Sequence, residues 1–457
     1  MRFSGIHRIS PFRIIVIGFV SAILLGTLLL SLPVSTREAG SADFWDCLFT
    51  STSAVCVTGL VVRDTVSCWS PFGQAVILLL IQIGGLGVIT VVSTLMLVAH
   101  KRFSLTNRLM LRDALNLDSL SDLLGFLARV ARGTLLVELA GALFYMLDFV
   151  PRYGPVRGIW ASVFTAVSAF CNAGIDVLGP DSLIPFHDNP LVLTVTMLLI
   201  VTGGLGFVVW FDLYGKTATG IKQRFTASEI FRSFTEHTKL VLSLSLALIA
   251  AGTAIVFAAE CQNTETMGTL SLPLKLLNSL FESVTFRTAG FATISQKALT
   301  DVSCLAAYFL MFVGGSPIGT AGGIKTTTFY LSILNISSYV RGKNSAHAYK
   351  RSVSADQMMK ATAIAEVSLG TVMVLTLLLV ATNPVGIRDG LFEVMSACAT
   401  VGLTRGVTPL LNTAGKLIIT LGMYLGRIGP ISMALFLVGG RKEESDVRYA
   451  EGNFFIG

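Results

Sequence analysis

The sequence predicts an all-α polytopic membrane fold made of four fused helical repeats. Three observations carry that reading. Of the 457 residues, 53% are apolar and only 13% are charged, against about 25% charged in an ordinary soluble domain. Long apolar runs recur along the whole chain, and mean hydropathy is +0.73. A short glycine-bearing pattern recurs four times at a nearly fixed period. A chain of this size without a charged surface is neither a soluble enzyme nor a disordered protein. Its formal net charge of +7 is therefore read against a lipid bilayer, and no nucleic-acid partner is expected.

Arg2, Arg8 and Arg13 precede an apolar run from Ile14 to Leu32. That run is too long for a signal peptide and long enough for a first span, which needs about 20 residues. The apolar runs lie near 12–33, 72–99, 126–150, 190–211, 240–259, 302–339, 361–381 and 414–439. They form eight spans in four pairs. Between the members of each pair sits a shorter, half-apolar segment, expected at 43–64, 157–180, 273–297 and 388–406. The repeats then occupy 1–100, 101–240, 241–360 and 361–440, followed by a cytoplasmic tail at 441–457.

The four short segments read Ser53-Ala-Val-Cys-Val-Thr-Gly59-Leu60, Ser168-Ala-Phe-Cys-Asn-Ala-Gly174-Ile175, Ser283-Val-Thr-Phe-Arg-Thr-Ala-Gly290-Phe291 and Ser396-Ala-Cys-Ala-Thr-Val-Gly402-Leu403. Their glycines are 115, 116 and 112 residues apart, which is the signature of a repeat. Thr134 and Glu138 precede Gly174 as Thr362 and Glu366 precede Gly402, each glutamate by 36 residues. Gly84-Gly85-Leu86-Gly87, Gly203-Gly204-Leu205-Gly206, Gly314-Gly315-Ser316-Pro317 and Gly426-Arg427-Ile428-Gly429 keep a similar register in the second spans.

Non-helical backbone inside a membrane must be buried in protein or line water. Four such segments in four similar units predict four re-entrant pore loops around a pseudo-fourfold central pore. Glycine lets carbonyl groups approach and turn to a common axis. Rings of carbonyls replace the hydration shell of an alkali cation, and the inward C-terminal ends of short helices add negative potential. The expected chemistry is the dehydration and passage of a monovalent cation, with no bond made and no enzyme activity.

Charge gives the orientation. With both termini and the three loops between repeats on one side, that side holds 22 Lys and Arg against 11 Asp and Glu. The opposite side holds 10 against 14. The basic side is cytoplasmic by the positive-inside rule.

These motifs resemble the Trk/Ktr/HKT superfamily of potassium transporters, most closely the membrane subunit of bacterial Ktr systems, over roughly residues 10–440. The resemblance implies a bacterial inner-membrane protein with one degenerate filter strand per unit. Val57-Thr58-Gly59, Asn172-Ala173-Gly174, Thr288-Ala289-Gly290 and Thr400-Val401-Gly402 stand where the family's filter residues stand. Gly59 in place of serine favours potassium over sodium. The chain begins directly with unit one and closes on Glu451-Gly-Asn-Phe-Phe-Ile-Gly457, and both features resemble the Ktr type. The resemblance further implies a homodimer, a cytosolic nucleotide-binding ring subunit as regulator, and sodium as a possible activator. No cofactor is implied; potassium is substrate.

From Asp301 to Tyr339, 39 residues would make a straight helix of about 58 Å, nearly twice a ~30 Å hydrocarbon core. Gly314, Gly315, Ser316, Pro317, Gly319, Gly322 and Gly323 supply a break, expected at 312–326. The family has an intramembrane loop here, below the filter. The expectation is a gate that small side chains and few apolar contacts make easy to displace. Arg427 replaces the second glycine of the other Gly-Gly pairs and is expected beneath the filter, holding the gate and repelling a second cation. A buried ion pair of Arg427 with Glu138 or Glu366 is the structural alternative. Lys325 ends the loop, either as part of the gate or snorkelling to the interface. Arg287, three residues before Gly290, is expected to turn away from the axis and pair with Glu282.

Several rival readings are weak. Gly319-Thr-Ala-Gly-Gly-Ile-Lys325-Thr326 resembles a phosphate loop, but Ile324 intervenes before the lysine. The seven cysteines include no C-x-x-C pair, and the five histidines have no metal spacing. A coupled secondary transporter remains the alternative, although such proteins usually carry two repeats rather than four. The basic loops (Lys101, Arg102, Arg108, Arg112; Lys216, Lys222, Arg224; Arg341, Lys343, Lys350, Arg351) offer a cytoplasmic docking face.

Overall fold

Each unit is an outer helix, a short pore helix and an inner helix. The computed structural model describes residues 11–38, 40–87, 123–342, 346–349 and 351–429. The expectations for residues 1–10, for Lys101, Arg102, Arg108 and Arg112, for Lys343 and Lys350, and for the tail lie outside the described residues.

Unit one comprises α1 (Pro11–Leu30), α2 (Phe44–Cys56), a single turn α3 (Thr65–Cys68) and α4 (Pro71–Leu86). Unit two comprises α5 (Leu123–Tyr153), α6 (Pro155–Cys171) and α7 (Pro190–Gly204), followed by α8 (Phe207–Lys222) and α9 (Ala227–Ser233). Unit three comprises α10 (Glu236–Glu260), α11 (Leu272–Thr285), α12 (Asp301–Phe312) and α13 (Thr326–Val340), then a small hairpin of β1 (Ala346–Ala348) and β2 (Arg351–Val353). Unit four comprises α14 (Ala355–Thr382), α15 (Ile387–Cys398) and α16 (Thr413–Ile428).

Every inner helix starts on a polar cap. Ser70, Asn189, Thr300 and Asn412 accept from backbone N–H groups of Gly73, Val192, Ser303 and Gly415, at 3.2, 3.3, 3.3 and 2.8 Å. Such caps satisfy donors that the first helical turn leaves open. Proline follows directly in α4 and α7, where its missing N–H is harmless. These caps are another copy of the repeat, and they set where the chain re-enters after the filter.

The inner helices are shorter than expected. They run 16, 15, 12 and 16 residues, so the longest rises about 24 Å and does not cross a ~30 Å core as one straight rod. The expected span at 190–211 is broken after Gly204, the unit-three run breaks between Phe312 and Thr326 within the expected interval, and the far ends of 72–99 and 414–439 lie outside the described residues. Gly87, Gly206 and Gly429 end three of them at φ of 84°, 89° and 91°, a region that favours glycine. After Gly206, α8 leaves at 99° to α7. The outer helices of units two to four are long and apolar enough to cross a membrane over Gly125–Tyr153, Glu236–Glu260 and Ala355–Thr382. Their outward faces are apolar: Leu136, Leu147, Leu246 and Leu377 are all largely exposed, as a lipid-facing surface requires.

The units close into a ring. Each inner helix packs on the pore helix of the next unit: α4 on α6, α7 on α11, α12 on α15, and α16 back on α2. The buried core lies between pore helices. Phe49, Phe164, Phe281 and Phe392 are fully buried there, one per unit.

Candidate ion pathway

Each pore helix ends where a non-helical residue reverses the chain. Val57, Asn172, Thr288 and Thr400 have φ of 56°, 58°, 74° and 50°, a left-handed conformation that is uncommon for residues with a Cβ. In units one, two and four the ending is the same. Backbone N–H groups of Thr58, Ala173 and Val401 each donate to the carbonyl five residues back, on Ser53, Ser168 and Ser396, at 2.8 Å. Ser53 and Ser396 then accept through their hydroxyls from the N–H of Gly59 and Gly402, at 3.1 and 3.0 Å.

Unit three differs, and its expected register is corrected. Ser283 is not the counterpart of Ser53. Its hydroxyl donates to Ile249 O on α10 (2.8 Å), just as Ser51 donates to Ile23 O on α1 (2.7 Å). The counterpart of Ser53 is Thr285, four residues after Phe281 as Ser53 is four after Phe49. One residue fewer lies between it and the glycine. Thr285 accordingly donates to Phe291 O at 2.6 Å and accepts at its carbonyl from Ala289 N–H at 3.0 Å. The four phenylalanines carried this register in the sequence and were missed, because a buried apolar residue looks like any other core position.

The four glycines meet. All have positive φ: 100° at Gly59, 65° at Gly174, 84° at Gly290 and 99° at Gly402. A Cβ on Gly59 would strike the carbonyl oxygen of Ala173, one on Gly174 that of Ala289, one on Gly290 that of Val401, and one on Gly402 that of Thr58. Each glycine thus abuts the middle carbonyl of the next unit, and the sequence of contacts returns to its start. Each unit also carries a buried polar side chain one or two residues before its glycine. Thr58 Oγ1, Thr288 Oγ1, Thr400 Oγ1 and Asn172 Oδ1 are buried without a hydrogen-bond partner among the described residues, although buried polar atoms are nearly always paired. On one side the glycines open into a cavity of roughly 520 Å³ that also reaches Asp64, Asp176 and Asp181.

Two carboxylates fix the strands leaving the filter. Glu282 accepts from Thr293 N–H and Oγ1, both at 3.2 Å, and from Gln296 Nε2 at 3.0 Å. Glu393 accepts from Arg405 N–H (3.0 Å), Val407 N–H (3.3 Å) and Thr408 Oγ1 (2.6 Å). The expected Arg287–Glu282 pair is therefore absent. Glu282 is saturated by its own loop, whereas Arg287 turns the opposite way and donates to Ser245 Oγ and Gly314 O, at 3.4 and 3.1 Å.

The break in unit three spans residues 313–325, between α12 and α13. Its neck is closed by its own backbone: Gly314 N–H to Ile324 O (3.0 Å), Ile324 N–H to Phe312 O (3.1 Å) and Thr326 N–H to Gly315 O (3.0 Å). Its tip is bonded to unit two. Ser316 N–H donates to Gly204 O (2.9 Å), Thr320 N–H to Gly203 O (3.2 Å), and Phe207 N–H to Ile318 O (2.9 Å). Asn172 Nδ2 donates to Thr320 Oγ1 at 2.8 Å, so the loop touches a filter residue directly. On the other flank a Cβ at Gly322 would overlap the Thr400 side chain. Units two and four face each other across the ring, so a loop touching both crosses its axis. Ser316, Thr320 and Ala321 are buried. The loop's small side chains are matched by a set of hydrogen bonds, which the expectation of an easily displaced loop did not include.

Arg427 reaches under the filter from unit four. It donates to Thr320 O and, through Nη2, to Gly84 O and Gly85 O of unit one, at 2.6 and 3.4 Å. Its partners are carbonyls, not carboxylates. Glu138 instead accepts from Gln82 Nε2 at 3.3 Å, and Glu366 is exposed on α14. Lys325 does not snorkel; its Nζ turns inward to Ala321 O at 2.6 Å.

The chain matches the profile of the TrkH family, described as a cation transport protein, over residues 10–445. It is 38% identical over 451 residues to the Ktr system potassium uptake protein B of Bacillus subtilis, covering 98% of this chain and 97% of the relative. It is 36% identical to the potassium/sodium uptake protein NtpJ of Enterococcus hirae, covering 98% of each. Its fold is similar to the crystal structure of the potassium transporter TrkH from Vibrio parahaemolyticus, with a TM-score of 0.74, 16% identity, and 96% of this chain and 86% of that one covered.

Proposed function

The chain belongs to the TrkH family of cation transport proteins, and from that premise we propose that it carries potassium into the cell through the ring of filter carbonyls. It is a multi-pass membrane protein that moves monovalent cations and catalyses no covalent reaction. The observation that carries the potassium filter is the closed ring, in which Gly59, Gly174, Gly290 and Gly402 each abut the middle carbonyl of the next unit. A dehydrated cation on that axis meets oxygens from all four units, and the unpaired oxygens of Thr58, Asn172, Thr288 and Thr400 extend the set. Four pore-helix C-termini aimed at the same point favour positive charge there.

The loop from Gly314 to Lys325 is the gate in this reading. It closes the path below the filter because it bridges units two and four across the axis. Arg427 secures it through Thr320 O and places a positive charge under the lowest ion. Opening therefore requires several hydrogen bonds to break together, which suits control by an external effector. We assign that effector to a cytosolic nucleotide-binding ring docked on the basic loops, and the assembly to a homodimer with both termini cytoplasmic. Sodium is a candidate activator. The ring subunit, the homodimer and sodium activation are what the Ktr resemblance implies, and the charge asymmetry of the loops supports the orientation.

Uptake by a potassium-uptake-deficient host, with tracer potassium and sodium compared, tests the reading. Growth and uptake restored in low potassium are expected. Transport of neither cation by folded protein at the membrane overturns it. A fixed coupling stoichiometry in reconstituted vesicles moves it to a coupled transporter.

A further inference from the structure

We propose that Arg287 is a positioning residue that couples the unit-three filter strand to the neck of the gate loop. The proposal rests on the gate reading above. Arg287 lies one residue before Thr288, at the turn from pore helix to filter strand, and three before Gly290. Its guanidinium points behind the filter, away from the axis. Nη2 donates to Gly314 O at 3.1 Å and to Ser245 Oγ on α10 at 3.4 Å, and Nε has no hydrogen-bond partner. No carboxylate is among its partners, so these bonds define its position.

Gly314 is the hinge of the loop. Its N–H closes the neck on Ile324 O, and its missing Cβ allows Gly322 and Gly323 to fold back over it. A side chain that grips the carbonyl of Gly314 grips both strands of the neck. The same pattern occurs twice more: Lys325 donates to Ala321 O and Arg427 to Thr320 O. Three cationic side chains thus hold three carbonyls of one loop. Only Arg287 among them is covalently adjacent to a filter residue. A shift of Thr288 as a cation enters or leaves moves the Arg287 backbone, and the guanidinium passes that shift to the hinge. Removing it frees the neck and relaxes the filter strand together, so gate and selectivity change as one.

The test uses the full chain in proteoliposomes and reads potassium flux and the potassium-to-sodium ratio. Four proteins are compared: the wild type, R287M, the chain lacking residues 317–322, and both changes combined. R287M is expected to raise flux about fivefold, the low end of typical couplings between sites, and to lower the ratio. In the loop-deleted background it is expected to add nothing to flux. R287K, which restores a donor, is expected to recover part of the wild-type behaviour, an outcome that a purely steric role does not give. Equal effects of R287M with and without the loop overturn the coupling and leave the gate intact. A deletion that fails to raise flux overturns the gate reading, and the coupling with it. If R287M does not accumulate as folded protein, R287A, which likewise removes the donor, carries the comparison, and flux and ratio equal to wild type overturn the proposal.

Discussion

At the scale of single residues, the filter glycines are constrained twice. Their φ is positive, and a carbonyl of the neighbouring unit occupies the space where a Cβ would sit. Gly402→Ala is expected to abolish potassium flux, with local strain of about 1–3 kcal/mol, while the protein still elutes as a folded particle. Gly59→Ser places its hydroxyl against Ala173 O and is expected to lower the potassium-to-sodium flux ratio, measured with tracers in vesicles. The glycines were legible because glycine is the one residue whose presence reports backbone conformation. The partners of Arg287 were not. Glu282 is its near neighbour and opposite in charge, but the pore helix points the two side chains to different sides, and Gln296 and Thr293 saturate the carboxylate. Sequence proximity of two charges does not determine on which side of a helix each one lies.

At the scale of elements, the gate loop was located by its glycines and by a span too long for the bilayer. Its restraint was not legible, because nearly every bond that holds it at units two and three, apart from the Asn172–Thr320 pair, ends on a main-chain carbonyl, which carries no residue-type signal. Removing residues 317–322 is expected to raise potassium flux by roughly tenfold or more. That is the factor for 1.4 kcal/mol of closed-state stabilisation at 298 K, about one net hydrogen bond. Flux equal to or below wild type in vesicles contradicts the role. Arg427→Ala is expected to raise flux less than the deletion does, since of the loop's contacts it releases only Thr320 O, and to leave thermal stability within about 2 kcal/mol of wild type. A collapse of folded protein would make Arg427 a structural strut instead. The bend after α7 was not legible for a related reason: apolar composition continues past Gly206, whereas the helix has stopped where φ turns positive.

At the scale of the whole molecule, stability depends on closing the ring between the last unit and the first. Asp46 on α2 is fully buried and bridges Arg63 (3.0 Å) and Lys416 on α16, so a carboxylate of unit one is held by a lysine of unit four. Breaking a buried pair on one side leaves an uncompensated charge. Lys416→Met is expected to destabilise the detergent-solubilised protein by about 3 kcal/mol. Asp46→Asn combined with Lys416→Met should recover part of that loss, and thermal unfolding of the wild type and the two variants reads it. The repeat was legible as a period, since it recurs at several positions per unit, but the register of unit three was not. That units meet in cyclic order was only implied by the period; the helix packing and the glycine–carbonyl contacts state it directly.

The fusion of four unequal units has a consequence for what can stand on the axis. In a channel of four identical chains, any segment that reaches the centre is present four times, and four copies of a plug collide. Here unit three alone sends a loop to the axis, units two and four supply its contacts, and unit four alone replaces a glycine by Arg427. Covalent linkage frees the centre from strict symmetry, so that a single asymmetric loop can stand beneath four filter strands that are only near-equivalent.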